Sequence, residues 1–338
     1  MKTAACAVAL IAACGWYGPV CGLGWLLGVC LPYAAALIGI LGLARRLLCW
    51  IFTPVPFAIP VSGGQIDASP FDAPTSRAGA AGRVALEALG FRSLLRDTRA
   101  TMPDTPLPRL AIAPSARLWL AGLILHYSLL VVLLRHLRLC LEPAPAWVAW
   151  LARADAWLQA GTPAVCLSGP MLILALLFLL ARRRLPRLRL MSLPADFFPL
   201  FLLLALAVSG LLMRHACRVD LTRLKLHVLG LLRFTPGATD PGALEAIAFV
   251  HLTLACALFI ALPFSKLTHA GAVFLSPTRN LRCDTRAFRH ANPRQESPDN
   301  GVFRSYAQYE AVFAPQLRAA GLPLDHDPPD AAGKGGCA

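Results

Sequence analysis

Residues 126–136 read "HYSLLVVLLRH", a stretch in which two histidines ten residues apart enclose mostly leucine and valine. The apolar character continues on both sides, over residues 117–138. A helix of about 20 apolar residues crosses a hydrocarbon core of about 30 Å, so this segment is long enough to span a membrane. Polar rings are costly in lipid and usually mark a functional interior. The stretch therefore predicts a membrane helix that carries chemistry.

The whole chain has the composition of an integral membrane protein. Of its 338 residues, 57% are hydrophobic and 15% are charged, and the mean hydropathy is +0.59. These values lie far outside the range of ordinary soluble domains. We therefore predict an all-α integral membrane fold with about six transmembrane helices. They lie near residues 3–20, 24–44, 117–138, 163–181, 196–213 and 242–264.

The basic residues predict the orientation of these helices. The formal net charge is +14, but Lys and Arg beside hydrophobic spans set orientation, so the charge does not require a nucleic-acid partner and we predict none. If the N-terminus is cytoplasmic, most Lys and Arg lie on the cytoplasmic side, in segments 1–2, 45–117, 182–195 and 265–338. Residues 214–240 are an exception, because they carry five basic residues on the predicted outer side.

The cysteines do not predict a metal centre. There are eleven, scattered along the chain with no CxxC pair, so neither a zinc site nor a local iron–sulfur cluster is indicated. The N-terminal stretch "MKTAACAVALIAAC" has a second interpretation, because its basic start, apolar run and small residues before Cys14 are similar to a lipoprotein signal. Both interpretations leave the orientation of the later helices unchanged.

Four of the eight histidines form a pattern across two antiparallel helices. His126 and His136 lie in the third predicted span, His251 lies in the sixth, and His269 follows its end. With the N-terminus inside, His126 and His269 lie toward the cytoplasm, and His136 and His251 toward the outside. Because imidazole is a common axial ligand of haem iron, each pair predicts one haem. Hydrogen-bonded histidines that join helices, or a proton pathway, are the alternatives.

The spacing of the histidines fits two stacked haems only in part. The 18 residues from His251 to His269 would rise by about 27 Å in a helix, whereas the ten from His126 to His136 rise by about 15 Å. Pro263 lies between His251 and His269 and can kink or end the helix. His269 is therefore the ligand whose placement most needs such a break.

Several short motifs resemble those of a known cytochrome family, in matching order from about Gly24 to Leu324. The histidine spacings are similar to those of the gamma subunit of respiratory nitrate reductase. The other motifs resemble more closely the membrane cytochrome b (M) subunit of the dissimilatory-sulfite-reductase-linked transmembrane electron-transfer complex. They read "PVPFAIPVSGGQ", "LEALGFRSLLRDT", "PFSKLTHAG", "FLSPTRN", "RHANP" and "YAQYEAVFAPQLRAAGLP".

The resemblance implies two b haems in a five-helix bundle like that of the nitrate reductase gamma subunit, preceded here by one extra hydrophobic segment. His136 and His251 would bind the outer haem, and His126 and His269 the inner haem. Arg135, beside His136, is a candidate for holding haem propionates, although its side chain can equally extend to the membrane interface.

The family also implies a substrate and partners. It exchanges electrons with a quinone pool, here menaquinone or ubiquinone, and with a cytoplasmic iron–sulfur subunit resembling heterodisulfide reductase. A periplasmic multihaem cytochrome c and further membrane subunits are additional partners in the M-subunit complex. The location would be the inner (cytoplasmic) membrane of a bacterium or archaeon, with the lipid bilayer around it and the direction of electron flow open.

Three alternative functions stay open. They are a nitrate reductase gamma subunit, a heterodisulfide reductase cytochrome, and a non-haem polytopic transporter or scaffold with intramembrane histidines.

The expected domain organisation follows from these assignments. The predicted regions are N-terminal transmembrane helices (1–44), a cytoplasmic loop with an amphipathic helix (45–116), the diheme helical core (117–270) and a cytoplasmic tail (271–338).

Overall fold

Helices make up nearly all of the regular structure in a computed structural model of the chain. The chain divides into two units, Met1–Thr53 with Ala58–Phe288, and Pro54–Phe57 with Arg289–Ala338. The structure describes residues 1–53, 71, 73–96, 99–101, 111–113, 115–156, 164–236, 244–276, 280–283 and 305–325.

The first half of the larger unit contains five helices and a short strand pair among its described residues. The two strands are antiparallel, with Ala100 opposite Ile112. A π-helical turn, Leu26–Cys30, leads directly into the helix that begins at Leu31. The elements are α1 (Lys2–Tyr17), α2 (Leu31–Phe52), α3 (Arg77–Gly90), α4 (Arg92–Arg96), β1 (Arg99–Thr101), β2 (Ala111–Ala113) and α5 (Ala116–Cys140).

The rest of the larger unit is helical in its described residues. A π-helical turn, Leu212–Ala216, continues the helix that ends at Leu211. Two 3-10 turns, Leu262–Phe264 and Lys266–Thr268, separate the last two helices of this unit. The helices are α6 (Ala146–Asp155), α7 (Ser168–Arg183), α8 (Pro186–Leu190), α9 (Pro194–Leu211), α10 (Leu221–Leu232), α11 (Ala246–Ala261) and α12 (His269–Leu275).

Four of the six predicted spans correspond to described helices that are long and apolar enough to cross a membrane. These are Leu26–Phe52, Ala116–Cys140, Pro194–Ala216 and Ala246–Phe264. The first and fourth predicted spans are shorter helices, α1 and α7, of 16 residues each. Helix α7 is short because it begins only at Ser168, where the Asp155 carboxylate accepts a hydrogen bond from the Ser168 backbone N–H at 2.8 Å.

Large apolar side chains face outward along the long helices. Leu37, Ile40 and Leu41 of α2 are 60%, 63% and 60% exposed, and Leu133 of α5 is 57% exposed. Soluble proteins rarely expose contiguous apolar surface of this kind, whereas lipid chains cover it without cost. The chain is therefore a multi-pass helical membrane protein, as its composition predicted.

Helix α11 lies at the centre of the packing. Its Phe249 and Leu254 are almost fully buried, and α1, α2 and α9 pack against it. At Gly15 of α1, an added Cβ would lie 2.7 Å from the Cα of Val250, so only glycine permits this approach. Small residues at such crossings are typical of membrane helices. Helices α5, α7 and α9 form a second cluster around Leu176.

The described part of the smaller unit contains one helix, α13 (Tyr306–Ala319). Ser305 begins it with a capping box, in which its side chain accepts from the Gln308 backbone while Gln308 accepts from Ser305 N–H. Such reciprocal bonds satisfy two free donors at a helix N-terminus.

Candidate functional site

The structure brings the four predicted histidines together as two pairs. His126 of α5 faces His269 at the start of α12, with 3.4 Å between their Nε2 atoms. His136 of α5 faces His251 of α11, with ring centroids 6.2 Å apart and ring planes within 7° of parallel. Each pair consists of one ring from α5 and one from the chain around α11. We call His126 and His269 the inner pair, and His136 and His251 the outer pair.

The inner pair forms because α11 does not continue to His269. Helix α11 ends at Ala261, and Pro263 lies in the 3-10 turn Leu262–Phe264 that follows. Ser265 is extended, with φ −117° and ψ 174°, before the second 3-10 turn. Arg46 Nη1 donates to the freed Pro263 carbonyl at 2.6 Å. The break absorbs the difference in helix rise between the two pairs, which is the role that the sequence predicts for Pro263.

Three of the four rings donate their Nδ1–H to a backbone carbonyl. A carbonyl oxygen can only accept, so Nδ1 carries the proton and Nε2 of each neutral ring is a lone-pair acceptor. Hydrogen bonds of this kind orient metal-bound imidazoles and raise their basicity. The bonds are His126 to Gly122 O, His136 to Val132 O and His269 to Lys266 O, each at 2.7 Å.

The fourth ring has a side-chain partner, Ser209 of α9. The Ser209 hydroxyl donates to the Leu206 carbonyl at 3.1 Å, so its oxygen is left to accept from His251 Nδ1 at 2.9 Å. This chain of bonds again leaves Nε2 unprotonated in a neutral ring. Sequence reasoning missed Ser209, because nothing in the spacing shows that α9 passes beside His251.

The inner pair therefore presents two lone pairs to each other. With both Nδ1 atoms engaged as donors, neutral His126 and His269 have no proton between their facing Nε2 atoms, 3.4 Å apart. Two such acceptors repel unless an electrophile lies between them. The described residues contain no cluster of three or more His, Cys, Asp and Glu side chains suited to a bare metal ion. Haem iron would fit this donor set, because each pair offers one imidazole nitrogen from either ring and no further protein ligand would be needed.

A cavity of about 680 Å³ adjoins the outer pair. Its volume is in the range of small-molecule and cofactor sites. Leu172, Leu206 and Leu252 contribute to an apolar wall. Gly210 keeps space at the His251 ring, because a Cβ there would lie 3.4 Å from His251 Cε1. A flat apolar cofactor suits this space.

Four arginines line the same cavity and give it a basic border. No acidic side chain lines the cavity among the described residues. The Nε atoms of Arg135 and Arg214 are buried there without a hydrogen-bond partner in the described part of the chain. Because a buried charge needs a counter-charge, the border favours an anionic group such as a propionate. The arginines are Arg135, Arg138, Arg214 and Arg218.

Arg135 has a protein partner as well. Its Nη1 is paired with Asp155 of α6, and both side chains are nearly buried. Asp155 also accepts from the Ser168 hydroxyl at 2.6 Å. The network fixes Arg135 beside His136 and ties α5 to α6 and α7. The sequence suggested Arg135, but Asp155 and Arg214 were missed because they approach only after folding.

Known proteins match the chain over most of its length. A family described as the nitrate reductase gamma subunit matches residues 111–286. An "Hdr-like menaquinol oxidoreductase cytochrome b-like subunit" of Archaeoglobus fulgidus is 42% identical over 284 residues, covering 80% of this chain and 84% of the relative. The protein of the same description from Archaeoglobus profundus is 34% identical over 281 residues, covering 80% and 82%.

The matched residues contain both histidine pairs and the basic border of the cavity. The predicted link to sulfite reduction is not part of these matches and stays a prediction. The resemblance to the gamma subunit is confirmed, and the chain belongs to the nitrate reductase gamma subunit family.

Proposed function

We propose that this chain is the diheme cytochrome b subunit of a membrane oxidoreductase, and that it exchanges electrons between a quinone pool and a cytoplasmic iron–sulfur subunit. The observation that carries the proposal is the two facing histidine pairs, in which every Nδ1 is hydrogen-bonded and every Nε2 is directed away from that bond. When bound, haem supplies a one-electron iron centre at each pair.

The protein's part is to hold and orient these groups. His136 and His251 would hold the outer haem, and His126 and His269 the inner haem. The two α5 histidines are separated by a helix rise of about 15 Å, so the two sites would be stacked along one helix. This arrangement suits transfer of electrons across the membrane.

The basic border would hold propionates at the outer site. Arg138 and Arg214 are the leading candidates, because Arg135 already has Asp155 as its partner. Arg135 remains a proposed propionate contact through its unpartnered Nε. Guanidinium groups suit this role, because they bind carboxylates with two parallel hydrogen bonds.

The quinone and the partners are proposed from the relatives. Both relatives are described as subunits of an Hdr-like menaquinol oxidoreductase, so we propose menaquinol as the electron donor or menaquinone as the acceptor. The same description supports a heterodisulfide-reductase-like iron–sulfur subunit as the cytoplasmic partner. A periplasmic multihaem cytochrome c, further membrane subunits and a role in sulfite or sulfur metabolism rest on the motif resemblance alone. We place the complex in the cytoplasmic membrane.

The non-haem alternative is less consistent with the inner pair. A scaffold that joined helices through His126 and His269 would place a proton between their Nε2 atoms, but both rings use their proton at Nδ1. A bridge would therefore require one of the two rings to take up a second proton as an imidazolium.

Reduction by a quinol tests the proposal. Membranes containing the chain are mixed anaerobically with a reduced menaquinone analogue, and the absorbance of haem b is followed by stopped flow. We expect the absorbance to show reduction of haem b in the wild type. A chain that carries haem b but is not reduced by any quinol, or reduces no quinone, would contradict the proposed quinone reaction.

A further inference from the structure

The corner between α3 and α4 contacts one histidine of the inner pair, His126. Helix α3 ends at Gly90, and Phe91 follows with φ 49° and ψ 46° before α4 begins. This left-handed conformation is unfavourable for a bulky side chain, and such residues persist where the surrounding structure enforces them.

Two aromatic side chains of α5 enforce the corner. Trp119 Nε1 donates to the Gly90 carbonyl at 2.7 Å, and the Tyr127 hydroxyl donates to the Leu89 carbonyl at 2.9 Å. Carbonyls at a helix C-terminus have no partner within the helix, so these bonds satisfy the end of α3. The two donors stand on either side of His126 in the sequence and attach the corner to the segment that carries this ring.

The corner contacts both the His126 ring and the group that orients it. The Phe91 ring centroid lies 4.7 Å from that of His126, at an interplanar angle of 53°. The Gly122 carbonyl accepts from His126 Nδ1 at 2.7 Å, and a Cβ on Gly122 would lie 2.9 Å from Leu94 Cδ2. One side chain of the corner thus touches the ring, and another touches the residue whose carbonyl holds it.

We propose that Phe91 is a positioning residue for the inner haem ligand, and that the α3–α4 corner, residues 89–94, tunes the inner haem through the orientation of His126. The inference rests on the proposed haem function. Ring orientation and the strength of the Nδ1 hydrogen bond set the basicity of a metal-bound imidazole. A displacement of the corner on the α3 side therefore reaches the iron ligand through two contacts.

Two variants separate the ring contact from the backbone contact. Phe91→Gly removes the aromatic ring, and glycine adopts the left-handed conformation readily, so the corner keeps its backbone. Gly122→Ala leaves Phe91 in place but pushes Leu94 away, and alanine is a better helix former than glycine. Leu86→Ala is the matched control, because its side chain is 40% exposed on α3 and lies outside the corner.

The readouts are spectroscopic and concern each haem separately. A redox titration gives the two midpoint potentials, low-spin EPR reports ligand orientation, and carbon monoxide binding to the reduced protein reports a weakened ligand. We expect Phe91→Gly and Gly122→Ala to shift the inner potential and EPR signal and to admit carbon monoxide at the inner haem. The outer haem should keep its wild-type signals, as should both haems in Leu86→Ala.

Two results would count against these proposals, one against the inference and one against the proposed function. Wild-type inner signals in both Phe91→Gly and Gly122→Ala, with two haems bound, would overturn the inference and leave the proposed function intact. A wild-type chain without haem b would instead remove the proposed function. Loss of the inner haem alone in either variant supports the inference, and Phe91→Leu replaces Phe91→Gly if the glycine variant does not fold.

Discussion

At the residue scale, the second nitrogen of each imidazole decides what the site can bind. Four Nδ1 atoms are hydrogen-bonded, three to carbonyls and one to a hydroxyl. The carbonyl bonds of His126 and His136 both reach four residues back along α5, so the helix itself orients these rings. The hydrogen bond of His251 is different, because its acceptor is a side chain on a neighbouring helix. A single substitution can therefore remove it.

Ser209→Ala should weaken the outer haem site selectively. The variant leaves His251 Nδ1 without its acceptor, and loss of such a second partner typically lowers metal affinity about 10- to 100-fold. Haem titration of the purified protein, followed by optical spectra, measures the change.

Ser192→Ala is the control for this variant. Its hydroxyl also donates to a backbone carbonyl, that of Leu188 at 2.7 Å, and no hydrogen bond links it to a histidine within the described part of the chain. Equal outer-haem affinity in Ser209→Ala, Ser192→Ala and the wild type would contradict the role assigned to the Ser209 hydroxyl.

At the element scale, breaks between helices matter as much as the helices. The sequence showed Pro263 but not that it would lie in the first of two 3-10 turns, with an extended Ser265 between them. Such turns depend on tertiary partners, here Arg46 bonded to the Pro263 carbonyl. For the same reason the Phe91 contact with His126 was not predictable, since α3 and α5 are joined by a stretch whose path the sequence does not define.

The Asp155 network should be a major contribution to the stability of this part of the fold. Asp155→Ala removes the partner of nearly buried Arg135 and the acceptor for Ser168. Removing one partner of a buried ion pair leaves an uncompensated charge, so we expect the free energy of unfolding to fall by about 3 kcal/mol. Thermal unfolding in detergent, monitored by circular dichroism, measures it.

Asp220→Ala is the comparison for Asp155→Ala. Asp220 is exposed and accepts from two backbone N–H groups at the start of α10, so its loss should cost about 1 kcal/mol, as for an ordinary helix cap. Equal destabilisation by the two substitutions would mean that the Arg135 pair contributes nothing beyond capping.

At the scale of the whole molecule, hydropathy and charge predicted the membrane class and the histidine pattern predicted which residues would meet. Both features can be recognised from the sequence because the helical repeat and the bilayer thickness have nearly fixed values. The lengths of α1 and α7 were not predictable, since Gly18 and Ser168 end and begin them through local contacts. The cavity with its arginine border also needed the structure, because it draws on five helices.

Cysteine accessibility tests the predicted orientation. Cys49 and Cys217 are both exposed, and they lie on opposite sides if the N-terminus is cytoplasmic. In proteins that retain one of them, a membrane-impermeant maleimide should label Cys217 on intact cells and Cys49 only after permeabilisation. The reverse labelling pattern would contradict the predicted orientation and would mean that the inner pair lies toward the outer side.

Haem content per chain is the most direct measurement of the central claim, that each histidine pair holds one haem b. Pyridine haemochrome quantification of the purified protein should give two haems in the wild type, one in His136→Ala, one in His126→Ala and none in the double variant. A wild-type chain without haem, or two haems retained in either single variant, would contradict the account.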